Sequence, residues 1–218
     1  MRLIVVTLLA LAATAAPVLA APVMAPLKPC YVVDDRAQEV MALSGSGFTP
    51  GSIVDLLRDG VVAKEGVAVD AAGNLPFGTL TAPVLASGER DFTVGVVERG
   101  NGANSVTLTS RVAHLDVSIR PKVTRPNRFV RMRGRGFTAA KPIFLHYVRG
   151  RTSRKTVRIG APEGICGTFD VRLRQFPFVP KAGRWTLQID QQRRYSRSPN
   201  SATVQIDVDV VRVPKRSR

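Results

Sequence analysis

The chain contains one short motif twice, and this repetition limits the folds that it can adopt. The first copy, GSGFTPG, spans residues 45–51, and the second, GRGFTAA, spans residues 134–140. Each copy follows a segment in which apolar residues alternate with small or charged ones, a period typical of a half-buried β-strand. The glycines permit a tight turn, and we expect Phe48 and Phe137 to close the end of a hydrophobic core. The motif therefore predicts two copies of one β-unit.

Two further landmarks recur in the same order after each copy of the motif. Phe92 in GERDFTV corresponds to Trp185 in GRWTL. NSVTL at residues 104–108 corresponds to NSATV at residues 200–204. The landmarks keep their order, but more residues separate them in the second copy. This indicates a duplicated unit with longer loops in the second copy. The alternative interpretation is a chance match between glycine-rich turns.

Short segments with strand periodicity, separated by Gly, Pro and Asn turns, continue along the rest of the chain, and no window has a helical period. This pattern predicts an all-β protein with two tandem immunoglobulin-like β-sandwich domains. We expect the first domain at residues 27–112, the second at 113–211, and a basic tail at 212–218. The Pro- and Ala-rich segment at 21–29 is expected to add little packing.

The N-terminus has the three parts of a secretory signal peptide: a basic residue, Arg2, an apolar stretch, and small residues up to Ala20. We expect cleavage after Ala20, with Ala25 as the latest alternative. The apolar stretch is short for a membrane span, although a retained N-terminal anchor remains an alternative. The mature chain is thus expected to lack a transmembrane span and to be exported, as a secreted, periplasmic or cell-surface protein. A lipid anchor on Cys30 is disfavoured because no small residue directly precedes it.

Cys30 and Cys166 are the two cysteines of the chain, and they fall in different predicted domains. An even number of cysteines in an oxidising compartment suggests a disulfide. Domains arranged end to end would hold these positions apart, whereas a disulfide needs Cα atoms within about 7 Å. A bond between Cys30 and Cys166 and a pair of buried free thiols therefore both remain open.

The excess of basic over acidic residues lies in the second half of the chain. The net charge is +16, but residues 21–119 contain 7 Lys and Arg against 11 Asp and Glu, whereas residues 120–218 contain 24 against 5. Guanidinium groups bind phosphate and carboxylate groups with two parallel hydrogen bonds. If the strands that carry them are neighbours, the basic side chains form one cationic face and rim. The predicted anion-binding residues are Arg131, Arg133, Arg135, Arg151, Arg154, Lys155, Arg158, Arg172 and Arg174.

This charge pattern favours an anionic partner in the cell envelope. Phosphate-rich wall polymers, acidic polysaccharides, lipid head groups and an acidic surface protein all fit, and the sequence leaves the ligand and the oligomeric state open. Nucleic acid fits the charge but is disfavoured by the predicted export and by the absence of an aromatic run for base stacking. The competing interpretation is a solvated face that reflects an arginine-rich composition.

No pattern of catalytic or metal-binding residues is present, so we expect a non-catalytic protein without a cofactor. His146 lies within a predicted strand and is expected to be packed there, and His114 lies near the predicted domain boundary. Asp34 and Asp35 are adjacent and are expected to form a turn. Cys166 lacks a histidine partner at a recognisable spacing. The alternatives are a structural spacer or adhesion module, and an enzyme with a site at the domain junction near His114 and Cys166.

The chain also resembles a known group of proteins. The GSGFTPG pattern after an apolar strand is similar to the immunoglobulin-like repeats of secreted and surface bacterial proteins, and RKTVRIGAPEGICGTFDVRLRQFPF, at residues 154–178, resembles the second domain of two-domain exported proteins of high-GC bacteria. The resemblance covers nearly the whole mature chain. It implies tandem immunoglobulin-like domains that act as spacers, adhesion modules or carbohydrate-contacting domains. It implies no catalytic residues.

Overall fold

The structure is a computed structural model that describes residues 21–121, 125–199 and 202–211. Within these ranges the chain forms strands, turns and irregular segments, and no helix. The predicted signal peptide, the first two residues of NSATV and the predicted basic tail lie outside the described residues. The strands are arranged as two successive β-sandwiches, each with its own hydrophobic core.

The first sandwich contains two sheets that enclose the first core. One is three-stranded, in the order β1-β3-β6, and the other is five-stranded, in the order β2-β8-β7-β4-β5. Neighbouring strands are antiparallel except for β2 and β8, which are parallel. The strands are β1 (Val23–Met24), β2 (Cys30–Val33), β3 (Val40–Ser46), β4 (Ile53–Arg58), β5 (Val61–Ala68), β6 (Leu75–Thr81), β7 (Glu89–Glu98) and β8 (Asn101–His114).

The second sandwich has a three-stranded sheet in the order β13-β10-β9 and a four-stranded sheet in the order β12-β11-β14-β15. Every pair of neighbouring strands in it is antiparallel. The strands are β9 (Asp116–Arg120), β10 (Phe129–Arg135), β11 (Ile143–Arg149), β12 (Thr152–Gly160), β13 (Phe169–Arg174), β14 (Gly183–Asp190) and β15 (Val204–Val210).

The two sandwiches follow the same strand order. The sheet β1-β3-β6 corresponds to β9-β10-β13, and the run β8-β7-β4-β5 corresponds to β15-β14-β11-β12, so that β2 is an addition to the first sandwich. Phe92 on β7 and Trp185 on β14 occupy equivalent strands and are both buried. The prediction of an all-β chain built from immunoglobulin-like β-sandwiches is confirmed.

The repeated motif forms the same contact in both sandwiches. The backbone N–H of Phe48 donates to the carbonyl of Gly73 at 3.1 Å, and that of Phe137 donates to the carbonyl of Gly167 at 3.1 Å. Gly73 and Gly167 have φ angles of 79° and 60°, in a region that favours glycine. A Cβ on either glycine would collide with the phenylalanine carbonyl, so each glycine allows a close backbone approach. Both phenylalanine side chains are buried in the core of their own sandwich.

The segment at residues 21–29 packs more than the sequence predicted. Val23 and Met24 form β1 and pair with Ser46 and Gly45 at the end of β3. Met24 is only 7% exposed and belongs to the first core. A strand of two residues is too short to show a period of two, and for this reason the sequence pattern missed it.

The boundary between the sandwiches lies slightly later than residue 112. β8 continues through Ala113 and His114, because these residues pair with Val32 and Val33 on β2. Leu115, the next residue, packs in the second core. The chain thus passes from one sandwich into the other at a single residue between β8 and β9.

Candidate anion-binding surfaces

The outer side of the sheet β13-β10-β9 carries a group of arginines that we call the arginine face. On β10, Val130 and Met132 are buried in the second core, so the residues between them point outward. Arg131 lies opposite Arg120 on β9 and opposite Arg172 on β13, which places three arginines in one row across the sheet. The arginine face consists of Arg120, Arg131, Arg133, Arg135, Arg172 and Arg174.

Two aspartates neutralise part of the arginine face. Asp170 accepts hydrogen bonds from Nε and Nη2 of Arg131 at 2.7 and 2.6 Å, and from Nε of Arg133 at 2.9 Å. The hydrogen bonds from Arg131, assisted by Arg133, lower the pKa of Asp170 to about 2. Arg135 forms a longer ion pair with Asp116, at 3.2 Å. The arginines of β10 are therefore partly compensated within the sheet.

The remaining arginines of this face have no carboxylate partner among the described residues. The guanidinium carbons of Arg172 and Arg174 lie 5.3 and 5.5 Å from the ring centroid of Phe129, which is 51% exposed. Cation–π contacts of this kind orient a guanidinium group without cancelling its charge. Arg120, at the other end of the row, is exposed and lacks an acidic partner in this part of the structure.

The other predicted anion-binding residues belong to the opposite sheet. Arg151 lies in the turn before β12, and Arg154, Lys155 and Arg158 lie on β12. β12 pairs with β11 at the edge of the four-stranded sheet, so it is not a neighbour of β10 or β13 within a sheet. The condition for one cationic face is therefore not met: β12 lies in a different sheet from β10 and β13, so the cationic side chains are divided between the two sheets of the second sandwich.

A loop outside the set of predicted anion-binding residues adds more arginines on the side of the four-stranded sheet. Residues 191–199 fold over this sheet, where Nε2 of Gln188 donates to the carbonyl of Ser196 at 3.0 Å. Arg193, Arg194 and Arg197 in this loop are exposed. The run QQRRYSR was the available signal, but periodicity assigns no face to a loop residue, so the pattern could not place it.

His146 anchors this loop from within the sheet. Its ring is fully buried, and Nε2 lies 3.2 Å from Oδ1 of Asp190 and 3.1 Å from the carbonyl of Gln192. A carbonyl can only accept, so Nε2 carries the hydrogen; in the neutral ring, Nδ1 then accepts from the Thr156 hydroxyl at 2.8 Å. The ring thus has a polar partner for each nitrogen, which agrees with a packed histidine.

Asp190 is the second member of this buried network. Its burial would raise the pKa, but hydrogen bonds from His146, Gln188 and the backbone of Gln192 outweigh burial and hold the pKa of Asp190 below its usual value. Nε2 of Gln188 donates to Oδ2 of Asp190 at 2.8 Å, and the N–H of Gln192 donates to Oδ1 at 2.7 Å. The network therefore joins β11, β14 and the start of the loop.

The junction between the sandwiches is held by a disulfide and by packing. Cys30 and Cys166 are joined, with their Cα atoms 5.3 Å apart, and both are 2% exposed. The N–H of Leu115 donates to the carbonyl of Val33 at 2.7 Å, and Val32 packs against the second core. β2 therefore contacts both sandwiches, which explains how the two distant cysteines come together.

The residues considered for catalysis or metal binding at the junction have structural partners. Oδ1 of Asp34 accepts from the N–H groups of Arg36 and Ala37, both at 2.7 Å, which forms the expected turn. Nε2 of His114 lies 3.3 Å from Oδ1 of Asp35, and its buried Nδ1 has no hydrogen-bond partner among the residues that the structure describes. Across the described ranges, no group of three or more His, Cys, Asp and Glu side chains is arranged to hold a metal ion.

Open grooves of mixed charge flank the junction. One runs beside the arginine face, between the two sandwiches, and is lined by residues that include Glu89, Asp116, Arg120, Arg133 and Glu163. Another is lined by Asp34, Asp35, Arg36 and Arg197 among others. Both grooves place carboxylates next to guanidinium groups, so neither is a purely cationic site.

No protein-family model matches the chain, and no curated protein matches it. Among solved structures, it is similar to a DUF3823 family protein from Bacteroides ovatus ATCC 8483, with 10% identity over 88% of this chain and 99% of that chain and a TM-score of 0.32. It is also similar to the titin Ig tandem domains A164-A165, with 16% identity over 87% and 95% of the two chains and a TM-score of 0.27. Fibronectin(III)-like modules of Clostridium thermocellum CbhA align at 12% identity over 87% and 93%, with a TM-score of 0.25.

The structure contains no membrane-spanning helix in the ranges that it describes. The order of the strands in the four sheets defines the class of the protein as a tandem of immunoglobulin-like β-sandwiches.

Proposed function

We propose that the protein is an exported, non-catalytic module of the bacterial cell envelope or extracellular space, whose second sandwich binds an anionic polymer. The row of Arg120, Arg131 and Arg172 carries this proposal. Like charges directly opposite each other on neighbouring strands are destabilising. Asp170 already compensates Arg131, whereas Arg120 and Arg172 lack a carboxylate partner among the described residues, so a bound anion would supply the missing negative charge.

The spacing of the charges favours a polymer over a single small anion. Neighbouring strands lie about 4.8 Å apart, and alternate residues on one strand lie about 7 Å apart, so the face presents cations in two directions. The exposed arginines lie on the open surface of a sheet rather than in an enclosed pocket. A flexible chain with phosphate or carboxylate groups at short intervals, such as a wall polymer, an acidic polysaccharide or an array of lipid head groups, can contact several of them together.

Export is supported by two features of the chain. The N-terminal segment has the composition of a signal peptide, and the Cys30–Cys166 disulfide is of the kind that persists in an oxidising compartment. Cleavage after Ala20 would keep β1 in the mature protein, whereas cleavage after Ala25 would remove it from β3. We therefore propose that the mature chain begins at Ala21.

The proposal is tested by binding to long-chain polyphosphate and to heparin at increasing salt concentration. We expect binding that weakens steeply with salt, and that weakens further when Arg120 and Arg172 are both changed to Ser. The matched control changes Arg90 and Arg99, which are ion-paired in the first sandwich, to Ser. Absence of binding at low salt, or equal binding by both variants, would contradict the proposal.

A role as a rigid spacer is the second candidate, and the junction favours it. The disulfide, the packing of Val32 on the second core and the Leu115–Val33 hydrogen bond together restrict motion between the sandwiches. A fixed orientation is useful for holding other domains or partners at a set distance. If the protein binds none of the anionic polymers, this candidate remains.

A further inference from the structure

We infer that the second sandwich binds anionic polymer on two opposite sides at once and so bridges two polymer strands. The inference rests on the proposed function and adds that the site is double. Its basis is the division of unpaired cations between the outer sides of the two sheets, which the sequence pattern had assigned to one surface.

The first binding surface is the arginine face, where Arg120, Arg172 and Arg174 lack a carboxylate partner within the described ranges. The cation–π contacts with Phe129 hold Arg172 and Arg174 close together at one end of the sheet. These arginines therefore form a cationic group on the three-stranded side.

The second surface lies on the four-stranded side and consists of Arg158, Arg193 and Arg194. We call it the loop face. Arg158 pairs in register with Phe144, and Thr156 with His146, so these two positions of β12 share the side of the sheet on which the loop lies. None of the side chains of the loop face has an acidic partner among the residues that the structure describes.

The loop face is fixed rather than free to collapse onto the protein. Nε2 of Gln191 donates to the carbonyls of Ala139 and Lys141, at 2.6 and 2.9 Å. Gln192 is held at both its N–H and its carbonyl by the network of His146 and Asp190. Arg193 and Arg194 follow directly, so the backbone that carries them is positioned before any ligand binds, which lowers the entropic cost of binding.

The two surfaces point in opposite directions. Sheets in a sandwich stack about 10 Å apart, and here the buried Met132 and Leu187 come from the two facing sheets. One polymer segment cannot contact both surfaces unless it passes round the edge of the sandwich. The edge strand β12 carries Lys155 beside Arg154, so a single wrapped strand is the competing arrangement.

Stoichiometry with a short probe tests whether the two surfaces are separate binding sites, and cross-linking of a long polymer then distinguishes bridging from wrapping. Isothermal titration of the full mature chain with an oligophosphate too short to pass round the edge should give two bound molecules per protein. Arg120→Ser with Arg172→Ser should leave one, and Arg158→Ser with Arg193→Ser and Arg194→Ser should also leave one. The control, Arg36→Ser with Lys181→Ser, removes charge from neither surface and should still give two.

Bridging also has a direct readout with long-chain polyphosphate. The wild-type protein should cross-link the polymer and raise light scattering, whereas each single-surface variant should bind the same polymer without raising it. One oligophosphate per wild-type molecule, or full scattering by both variants, would overturn the inference while leaving the proposed function intact. Failure of the wild type to bind either probe would instead overturn the proposed function. Because one bound oligophosphate, or binding of long-chain polyphosphate without a rise in scattering, would overturn the inference with the wild type alone, a variant that misfolds does not affect the outcome.

Discussion

Arg131 and Arg172 are direct cross-strand partners on β10 and β13, although both carry a positive charge. Asp170, on the same strand as Arg172, forms a bidentate pair with Arg131 and leaves Arg172 to the ring of Phe129. The sheet therefore tolerates the row by neutralising one arginine and stacking the other. This arrangement keeps the face intact without ligand and leaves positive charge for a partner.

Changing Asp170 to Asn should alter stability and binding in opposite directions. The substitution removes the shared partner of Arg131 and Arg133, so it should lower the midpoint of urea unfolding at neutral pH. It also removes a negative charge from the arginine face, so polyphosphate should bind more tightly. Paired urea titrations and binding isotherms check both effects, and weaker binding by the variant would contradict the role of the face.

The same residue should give a defined dependence of stability on pH. The pKa of Asp170 is lowered to about 2, below the value of about 3.9 expected in the unfolded chain. The ion pairs of Asp170 therefore stabilise the fold fully above the pKa of the unfolded chain, and this stabilisation is lost as the pH falls through the pKa of the folded protein. Between these pH values the wild type should lose more stability than Asp170→Asn. Parallel curves for the two proteins would show that the ion pairs do not stabilise the fold.

Changing His146 to Ala should destabilise the second sandwich strongly. The substitution removes the N–H of His146 that lies against the buried carboxylate of Asp190, and leaving a buried charged acceptor short of a donor costs about 3 kcal/mol. The milder variant Thr156→Val removes only the hydroxyl that donates to Nδ1 of the neutral ring, with a cost of about 1 kcal/mol. Chemical denaturation gives both free energies of unfolding. Equal costs for the two variants would argue against the buried pair.

Met24 should contribute to stability although it lies next to the proposed cleavage region. Met24→Ala removes a side chain that is 7% exposed and should cost about 2 kcal/mol. Val23→Ala, at a neighbouring position that is 63% exposed, is the matched control and should cost little. Thermal unfolding of both variants measures the difference. If the proposed cleavage takes place, N-terminal sequencing of the mature protein should give Ala21 as its first residue.

Removal of the disulfide should lower stability without unfolding either core at room temperature. The variant Cys30→Ser with Cys166→Ser loses a covalent link between the sandwiches, which typically contributes about 3 kcal/mol. The cores are separate, so we expect the loss mainly as a lower unfolding temperature and freer motion at the junction. Calorimetry of the wild-type protein with and without reductant measures the change in the unfolding temperature. An unfolding temperature that does not respond to reductant would contradict this role.

The sequence predicted well those strands whose alternation and turn residues are both local. On β10, Val130 and Met132 alternate with arginines, and Gly150 directly follows the end of β11, so both signals are local. The side of a strand on which a residue lies was also predictable, since parity alone decides it. For this reason Arg131, Arg133, Arg172 and Arg174 were placed correctly relative to the core.

The sheet to which a strand belongs was not predictable from the same pattern. β12 and β13 both alternate and both carry arginines, but β12 pairs with β11 and β13 pairs with β10. These choices depend on contacts between residues that are distant in sequence. The position of the arginine loop depends in the same way on Gln191, whose side chain bonds to Ala139 and Lys141. Local periodicity contains no information about such contacts.

The link between Cys30 and Cys166 joins positions 136 residues apart in the sequence. A protease that cuts the backbone once anywhere within that interval would leave two fragments that the disulfide still joins covalently. Such damage would be invisible on a non-reducing gel and would appear only after a thiol is added. A protein built in this way can be cut once by a protease without losing either fragment.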